Sequence, residues 1–176
     1  MVAPHGEARL GAGWFYHLTA TPKEATMTTS TESTAYILAA GEGEPMSWFD
    51  ARFNLKASTP SIGIHEFVIP VGNEPPLHVH SREDEWFYVL EGEVTFHAGD
   101  QNLPGSPGSL VSLPRGIPHT FTVESGTARM LMLNAPGGFE RMFDLAPTTV
   151  PAAVEALNRY GIQVAGPHPR EAAAQG

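Results

Sequence analysis

The stretch G-N-E-P-P-L-H-V-H-S-R-E-D-E-W-F-Y-V-L-E-G, Gly72 to Gly92, combines two histidines, several carboxylates and a strongly apolar run. His78 and His80 are two residues apart, and side chains at that spacing project from the same face of a β-strand. Two prolines precede them, so the strand is expected to begin as the chain leaves a turn. Glu85 follows after a short polar loop. A hairpin-like return would bring its carboxylate back beside both imidazoles.

A second cluster is G-S-L-V-S-L-P-R-G-I-P-H, Gly108 to His119. His119 opens an alternating segment in which His119, Phe121 and Val123 share one face. Because that face is apolar, it is expected to point into the core, with His119 at the mouth of a strand. A single inward histidine is more often a core residue than a ligand, so His119 alone does not decide between these two interpretations.

The rest of the chain predicts an all-β domain over residues 35–146. Short apolar runs alternate there with turns rich in Gly, Pro, Asn and Asp. Besides the strand at the paired histidines, the runs predict strands at 35–39, 47–54, 62–69, 85–90, 93–97, 109–113, 119–124 and 129–133. Many short strands joined by tight turns are typical of a sandwich or barrel, and no strand–helix–strand rhythm supports a parallel sheet.

The two ends of the chain differ from this domain in composition and in predicted secondary structure. Residues 1–34 are rich in Thr, Ser, Ala and Gly, and predict a flexible N-terminal extension. Phe139 to Leu145 predicts a short helix. Thr149 is a plausible cap for a second helix, so residues 147–165 are predicted to pack a helix on the barrel. Residues 166–176 are predicted to be a mobile tail.

Composition excludes several classes of partner. The 176 residues carry a formal net charge of −9, with only ten Lys and Arg. Binding to nucleic acid or an anionic membrane surface needs clustered cations, so neither is expected. The chain has no cysteine, which excludes disulfides and thiolate metal sites. No apolar run approaches the ~20 residues of a membrane-spanning helix, and no secretory signal is evident, so a cytoplasmic location is expected.

Three inward imidazoles and one carboxylate would suit a divalent first-row metal. Nitrogen donors favour Fe, Co, Ni, Zn or Cu, and one carboxylate lowers the net charge of the site while leaving coordination positions open. The residues alone also permit a structural role for these histidines. Glu83 and Asp84 are expected to be solvated loop acids, His97 is expected on the surface, and His65 cannot be assigned to a face.

Together, the two clusters resemble the motifs of the cupin superfamily. The first motif is Gly, five residues, H-x-H, three or four residues, Glu, six residues, Gly, as between Gly72 and Gly92. The second is Gly, five residues, P-x-G, two residues, His, three residues, Asn. Here it begins at Gly108, and Val123 replaces the final Asn. Nine positions agree at fixed spacings, and the short interval between the motifs is similar to that of compact single-domain members.

The resemblance implies a double-stranded β-helix, or jelly-roll barrel, which the sequence extends by a short C-terminal helix. It also implies a homodimer and one divalent transition metal, which could be Fe, Mn, Ni, Co, Zn or Cu. The implied metal ligands are His78, His80, Glu85 and His119. By strand parity, the predicted walls of the substrate pocket are Phe87, Val89, Phe121 and Val123.

The segment N-A-P-G-G-F-E-R-M-F, Asn134 to Phe143, is similar to one that follows the barrel in quercetinase-like cupins. This resemblance implies a dioxygenase acting on a small aromatic or enol substrate such as a flavonol. Glu85 would be a ligand that also takes or orients the substrate proton. One alternative is a non-catalytic cupin that binds or senses a small molecule. Another is a metal-dependent isomerase or decarboxylase, although neither Lys23 nor Lys56 lies at a convincing inward position for a base.

Overall fold

The computed structural model describes residues 34–48, 51–145 and 147–174. The strands are β1 (Glu44–Trp48), β2 (Ala51–Ser58), β3 (Gly63–Pro70), β4 (Leu77–His80), β5 (Asp84–Glu91), β6 (Val94–Ala98), β7 (Gln101–Gly105), β8 (Leu110–Leu113), β9 (His119–Val123), β10 (Thr127–Ala135) and β11 (Ile162–Gly166). The helices are a 3-10 helix (Phe139–Leu145), α1 (Val150–Arg159) and α2 (Pro169–Ala174). Within the described ranges, no helix is long and apolar enough to cross a membrane.

The strands form two antiparallel sheets, which confirms the predicted all-β jelly roll. One sheet has six strands in the order β1-β2-β3-β10-β5-β8, and the other has five in the order β11-β4-β9-β6-β7. Phe87 from the first sheet meets Phe96 and Phe121 from the second, each with 5.6 Å between ring centroids. The core therefore lies between the sheets and is built from the inward positions of both.

Strand alternation and tight turns explain this arrangement. In β10, Ala128, Met130 and Met132 are buried, and the residues between them are more exposed. Gly92 closes the turn after β5 with a φ of 86°. A Cβ atom at this position would lie 2.5 Å from the carbonyl oxygen of Thr127. Only glycine fits there without moving the backbone, as the motif spacing implies.

Three sequence predictions about strands are wrong. Residues 35–39 form no strand, and Lys56 Nζ binds the Ala39 carbonyl at 2.8 Å instead. The predicted strand over 47–54 is two strands, because β1 ends at Trp48 and β2 pairs back on it. Residues 101–105, where the sequence predicted no strand, form β7, whose position at the edge of the sheet tolerates a proline because an edge strand needs fewer backbone donors.

The C-terminal region begins as predicted but continues differently. Thr149 caps α1, since its hydroxyl accepts a hydrogen bond from the Ala152 amide. The chain then forms strand β11, which the sequence did not predict and which pairs with β4. Helix α2 follows His168 within the segment predicted as a mobile tail, and the mobility of that segment stays a prediction. The His168 side chain is buried and its Nε2 donates to the Phe121 carbonyl at 3.0 Å. The predicted extension over 1–34 lies, except for its last residue, outside the described ranges.

The outer face of the six-stranded sheet carries an apolar row. Leu131 lies opposite Tyr88, and Tyr88 lies opposite Leu110 in the strand register. Tyr88 and Leu110 are 38% and 64% exposed, although the outer face of an antiparallel sheet is commonly polar. Such a face is suited to contact with a second copy of the chain. The homodimer stays a prediction.

Candidate metal centre

Three strands bring together the four side chains that the motifs single out. His78 and His80 project from β4, Glu85 lies near the start of β5, and His119 is the first residue of β9. His78 lies directly opposite His119 in the strand register, and their ring centroids are 4.6 Å apart. One possible ligand atom from each of the four residues lies within 4.8 Å of all the others. We call these four residues the histidine cluster.

Backbone carbonyls orient two of the imidazoles. Nδ1 of His78 lies 2.9 Å from the Pro76 carbonyl, and Nδ1 of His119 lies 2.8 Å from the Ile117 carbonyl. A carbonyl oxygen can only accept, so each Nδ1 carries the proton and donates it. The Nε2 atom of each ring is then the one left to face the cluster. The short turns before β4 and β9 therefore select the tautomer as well as the ring orientation.

Glu85 and His119 form a buried charge pair. Their Oε2 and Nε2 atoms are 3.2 Å apart. Burial alone would raise the pKa of Glu85, but the hydrogen bond with His119 and the neighbouring histidines outweigh it and lower the pKa to about 2. Burial would likewise lower the pKa of His119, but the hydrogen bond with Glu85 raises it. Glu85 is therefore an ionised acceptor at neutral pH.

His78 differs from His119 because, among the described residues, no carboxylate hydrogen-bonds to its ring. Burial is the main cause that lowers its pKa to about 4, and the neighbouring His119 adds to the effect. A neutral imidazole is the form that binds metal ions. The donor set, with neutral nitrogen atoms beside an ionised carboxylate, fits a divalent first-row metal, which would replace the proton of His119 as the balancing positive charge.

Asn134 supports the carboxylate from the neighbouring strand. Its position on β10 is directly opposite Glu85, and its Nδ2 donates to Glu85 Oε1 at 3.1 Å. Asn134 is fully buried. Both oxygens of Glu85 are thus held, one by Asn134 and one by His119. The sequence pointed to Asn134 only as the first residue of the segment after the barrel, and nothing in its pattern indicated this contact.

A cavity of about 500 Å³ lies beside the histidine cluster, and His78, His80 and Glu85 line it. Most of its wall is apolar, and much of that is aromatic. The aromatic residues other than the histidines are Trp48, Phe53, Phe67, Phe87, Phe121, Phe139 and Phe143. The aliphatic wall from α1 and β11 consists of Val150, Ala153, Val154, Leu157, Ile162 and Val164. Neither contribution from the C-terminal region was expected from the sequence.

Two of the four predicted pocket residues line this cavity, and two do not. Phe87 and Phe121 are in its wall. Val89 and Val123 face inward as their parity predicts, but they are not among the lining residues and are 0% exposed. Each lies two residues farther along its strand, where the two sheets pack directly against each other. Val89 and Val123 therefore lie outside the wall of this cavity, and the assignment of substrate-pocket residues stays a prediction.

Comparisons with known proteins place this architecture in a family. The family profile described as "Cupin domain" matches residues 65–134, which include the whole histidine cluster. Residues 65–134 form a cupin domain.

Curated relatives of the cupin domain are quercetin 2,3-dioxygenases. The protein from Bacillus subtilis (strain 168) is 28% identical over 112 residues, which are 61% of this chain and 33% of the relative. The protein from Aspergillus japonicus is 32% identical over 71 residues, which are 38% of this chain and 20% of the relative. The matched part of the chain thus spans a third or less of the length of these relatives.

A solved structure shares the fold of the cupin domain. An RmlC-like cupin from Shewanella frigidimarina NCIMB 400 superposes with a TM-score of 0.52 at 14% identity. The match covers 59% of this chain and 93% of that protein. At this identity the similarity concerns the fold and not the activity.

The loop between His80 and Glu85 corrects one sequence expectation. Glu83 is only 5% exposed and is not a solvated acid. Asp84 is partly exposed and pairs with Arg115, whose Nη2 lies 2.8 Å from Asp84 Oδ2. The hydrogen bonds from Arg115 lower the pKa of Asp84 to about 2. Glu83 faces His80, whereas Asp84 points to the loop before β9.

His65, which the sequence could not assign, is completely buried. Within the described part of the chain, neither of its ring nitrogens has a hydrogen-bond partner. Its ring centroid lies 5.7 to 6.2 Å from those of four phenylalanines, Phe53, Phe67, Phe139 and Phe143. Burial lowers its pKa to about 4, so the ring is neutral. His97 lies on the outer side of β6, as predicted, and its Nδ1 and Nε2 contact Asn102 and Thr122.

Proposed function

We propose that the protein is a metal-dependent dioxygenase of a small aromatic or enol substrate, of which a flavonol is one example. The observation that carries the proposal is a His/Glu cluster, buried except for the partly buried His78, that opens onto a largely apolar and partly aromatic cavity of about 500 Å³. Cavities of this size accommodate small organic molecules. The similarity to quercetin 2,3-dioxygenases supports the same assignment.

The four residues of the histidine cluster would hold one divalent transition metal. This donor set accepts several first-row ions, so Fe, Mn, Ni, Co, Zn and Cu are all candidates. When bound, the ion supplies Lewis-acid chemistry and, if it is redox-active, electron transfer. In the oxidative ring cleavage of a flavonol, the substrate supplies the four electrons that dioxygen takes up and both oxygen atoms enter the products, so the reaction needs no external reductant.

The side chains around the cluster have distinct roles in this proposal. Glu85 is ionised at neutral pH, because its pKa is about 2, and it can accept a hydrogen bond from an enol hydroxyl. Asn134 keeps the other oxygen of that carboxylate in place. Phe87, Phe121 and Phe139 provide flat apolar surfaces that exclude water and favour an aromatic ring.

The polarity of the wall favours an apolar substrate over a sugar phosphate. None of the described residues that line the cavity is Lys or Arg. Outside the histidine cluster, Asn73 and Glu74 contribute polar side chains to the wall of the cavity. Apart from the proposed metal ion, a phosphate would have no cationic partner among these residues. A buried substrate hydroxyl without a hydrogen-bond partner costs about 1 to 3 kcal/mol. We therefore infer a substrate whose body is apolar beyond its enol oxygens.

The test is an oxygen-uptake assay on protein reloaded separately with each candidate ion. The substrates are an unsubstituted flavonol, a polyhydroxylated flavonol and a sugar phosphate. We expect one dioxygen consumed per flavonol, both labelled atoms of ¹⁸O₂ in the products, and a higher kcat/KM for the unsubstituted compound. The His119→Ala variant should be inactive.

Other outcomes of the assay distinguish the two alternatives. A flavonol that raises the melting temperature without oxygen uptake or product formation would replace the proposal with a binding or sensing role. Conversion of a substrate without dioxygen consumption would indicate an isomerase or decarboxylase.

A further inference from the structure

We propose that Glu83 is a positioning residue of the metal centre, which acts by accepting a hydrogen bond from Nδ1 of His80. Its effect on metal affinity rests on the proposed metal site. Its effect on the imidazole of His80 does not, because the contact lies within the protein itself. The sequence expectation for Glu83 was a solvated loop acid, so this role was not anticipated.

The other two histidines of the cluster show what His80 needs. Nδ1 of His78 and Nδ1 of His119 each bind the carbonyl of the residue two positions earlier, at 2.9 and 2.8 Å. Among the residues that the structure describes, Nδ1 of His80 has no such carbonyl partner. The nearby acceptor is a side chain, because Glu83 Oε2 lies 3.5 Å from Nδ1 of His80.

Nδ1 of His80 and Oε2 of Glu83 are the natural hydrogen-bond partners of each other. Nδ1 of His80 and Oε2 of Glu83 are both buried, and within the described ranges neither has a hydrogen bond to another group. A buried carboxylate oxygen without a donor is costly, as is a buried ring nitrogen. A movement of a few tenths of an ångström brings the 3.5 Å separation into normal hydrogen-bond range.

The loop that carries Glu83 is fixed on both sides. Ser81 binds the Gly161 carbonyl through its amide at 2.9 Å and through its hydroxyl at 2.7 Å. On the other side, Asp84 accepts hydrogen bonds from the amide and guanidinium of Arg115 at 2.8 to 3.0 Å. Glu83 therefore lies between two anchored residues, which limits where its carboxylate can go.

A carboxylate acceptor at Nδ1 would give His80 a property that the other two histidines lack, because their Nδ1 atoms face carbonyl oxygens. A carboxylate is a stronger acceptor than a carbonyl oxygen, so it fixes the tautomer more firmly and makes the opposite ring nitrogen more basic. Loss of such a partner typically weakens metal binding by about 10- to 100-fold. His80 should consequently be the strongest nitrogen donor of the cluster.

The first measurement is ¹⁵N NMR of the imidazoles in metal-free protein, with the His80 signals assigned by their loss in His80→Gln. We expect wild-type His80 to carry its proton on Nδ1. Glu83→Ala should shift His80 toward the other tautomer and leave His78 and His119 unchanged. Glu83→Gln, whose amide oxygen still accepts, should retain the wild-type tautomer.

The second measurement is the Kd for Zn²⁺, obtained by competition with a chelator. We expect the Kd to rise about 10- to 100-fold in Glu83→Ala and by less in Glu83→Gln. Glu93→Ala is the matched control, since Glu93 is an exposed glutamate on the same β-rich domain. Its Kd should equal that of the wild type.

The two measurements separate the possible failures. An unchanged His80 tautomer in Glu83→Ala would show that the hydrogen bond does not exist. A changed tautomer with a Kd for Zn²⁺ within about twofold of the wild-type value would show that the hydrogen bond has no role in metal binding. A wild-type protein that binds no metal would refute the proposed function, while the NMR comparison would still decide the contact. If Glu83→Ala fails to fold, the test rests on Glu83→Gln, which should bind Zn²⁺ with a higher Kd than the wild type while His80 keeps its tautomer. An unchanged Kd in Glu83→Gln would then overturn the proposal.

Discussion

His119 and His65 are both buried in the barrel, but their surroundings give them opposite properties. Both ring nitrogens of His119 face acceptors, the Ile117 carbonyl and the Glu85 carboxylate, and its pKa is raised. His65 is surrounded by phenylalanines, and its pKa is lowered to about 4. Burial alone therefore does not decide the properties of a histidine. The acceptors that orient the ring of His119, and the carboxylate beside it, make the difference in pKa.

One aromatic ring separates the two environments. The Phe139 ring centroid lies 5.4 Å from that of His80 and 6.2 Å from that of His65. Phe139 also lines the cavity. The polar cluster and the aromatic pocket around His65 are thus neighbouring regions, and substitutions can test whether they are functionally separate.

The largest expected effect is the loss of metal from the cluster. His119→Ala and His80→Ala should each retain less than about a tenth of the wild-type metal after gel filtration, because each removes a nitrogen donor. Elemental analysis measures this directly. His65→Leu is the matched control and should keep the wild-type metal content. Stoichiometric metal in both cluster variants would show that the ligand assignment is wrong.

The next effect concerns the ring between the two regions. Phe139→Ala removes a buried ring and leaves a cavity, so we expect a loss of about 3 to 5 kcal/mol in the free energy of unfolding. Urea denaturation measures it. Phe139→Leu, which refills most of the space, should lose less. Equal and small losses in both variants would mean that the ring does not separate the two regions.

A smaller effect is the acid sensitivity that His65 confers. Its pKa is lowered from 6.5 to about 4 in the folded protein, so below about pH 6.5 the unfolded chain binds a proton that the folded chain does not. Stability should therefore fall as pH decreases through this range, by about 2 kcal/mol at about pH 5.

His65→Leu should remove that contribution. We expect the difference in unfolding free energy between about pH 8 and about pH 5 to be smaller by about 2 kcal/mol in the variant. The other buried histidines are present in both proteins, so the comparison isolates His65. An identical pH dependence in the two proteins would contradict a neutral, buried imidazole at this position.

The smallest effect on metal affinity is expected at Asn134, which holds the carboxylate of Glu85. Asn134→Ala removes the hydrogen bond to Glu85 Oε1, while the contact with His119 remains. We expect the Kd for Zn²⁺ to rise about tenfold, which corresponds to about 1.4 kcal/mol. Met132→Leu on the same strand controls for altered packing. Equal Kd values for Asn134→Ala and the control would exclude a positioning role for Asn134.

Sequence reasoning located the four cluster residues because strand parity and motif spacing are local properties. Parity indicates which face a residue occupies but not how deep along the barrel it lies, so it could not show that Val89 and Val123 lie beyond the wall of the cavity. Glu83 could not be recognised, because its burial depends on a loop anchored to Gly161, far along the chain. Strand β11 was missed because its pairing with β4 is equally distant in sequence.

The position of β11 also bears on how the protein is made. Strand β4 carries two of the cluster histidines, and its neighbours are β9 and β11. The contact of Ser81 with Gly161 spans 80 residues of sequence. During translation β4 therefore leaves the ribosome long before its outer neighbour, and its edge stays open until then. The strand that carries His78 and His80 is therefore covered on this edge only after about 80 further residues have been made.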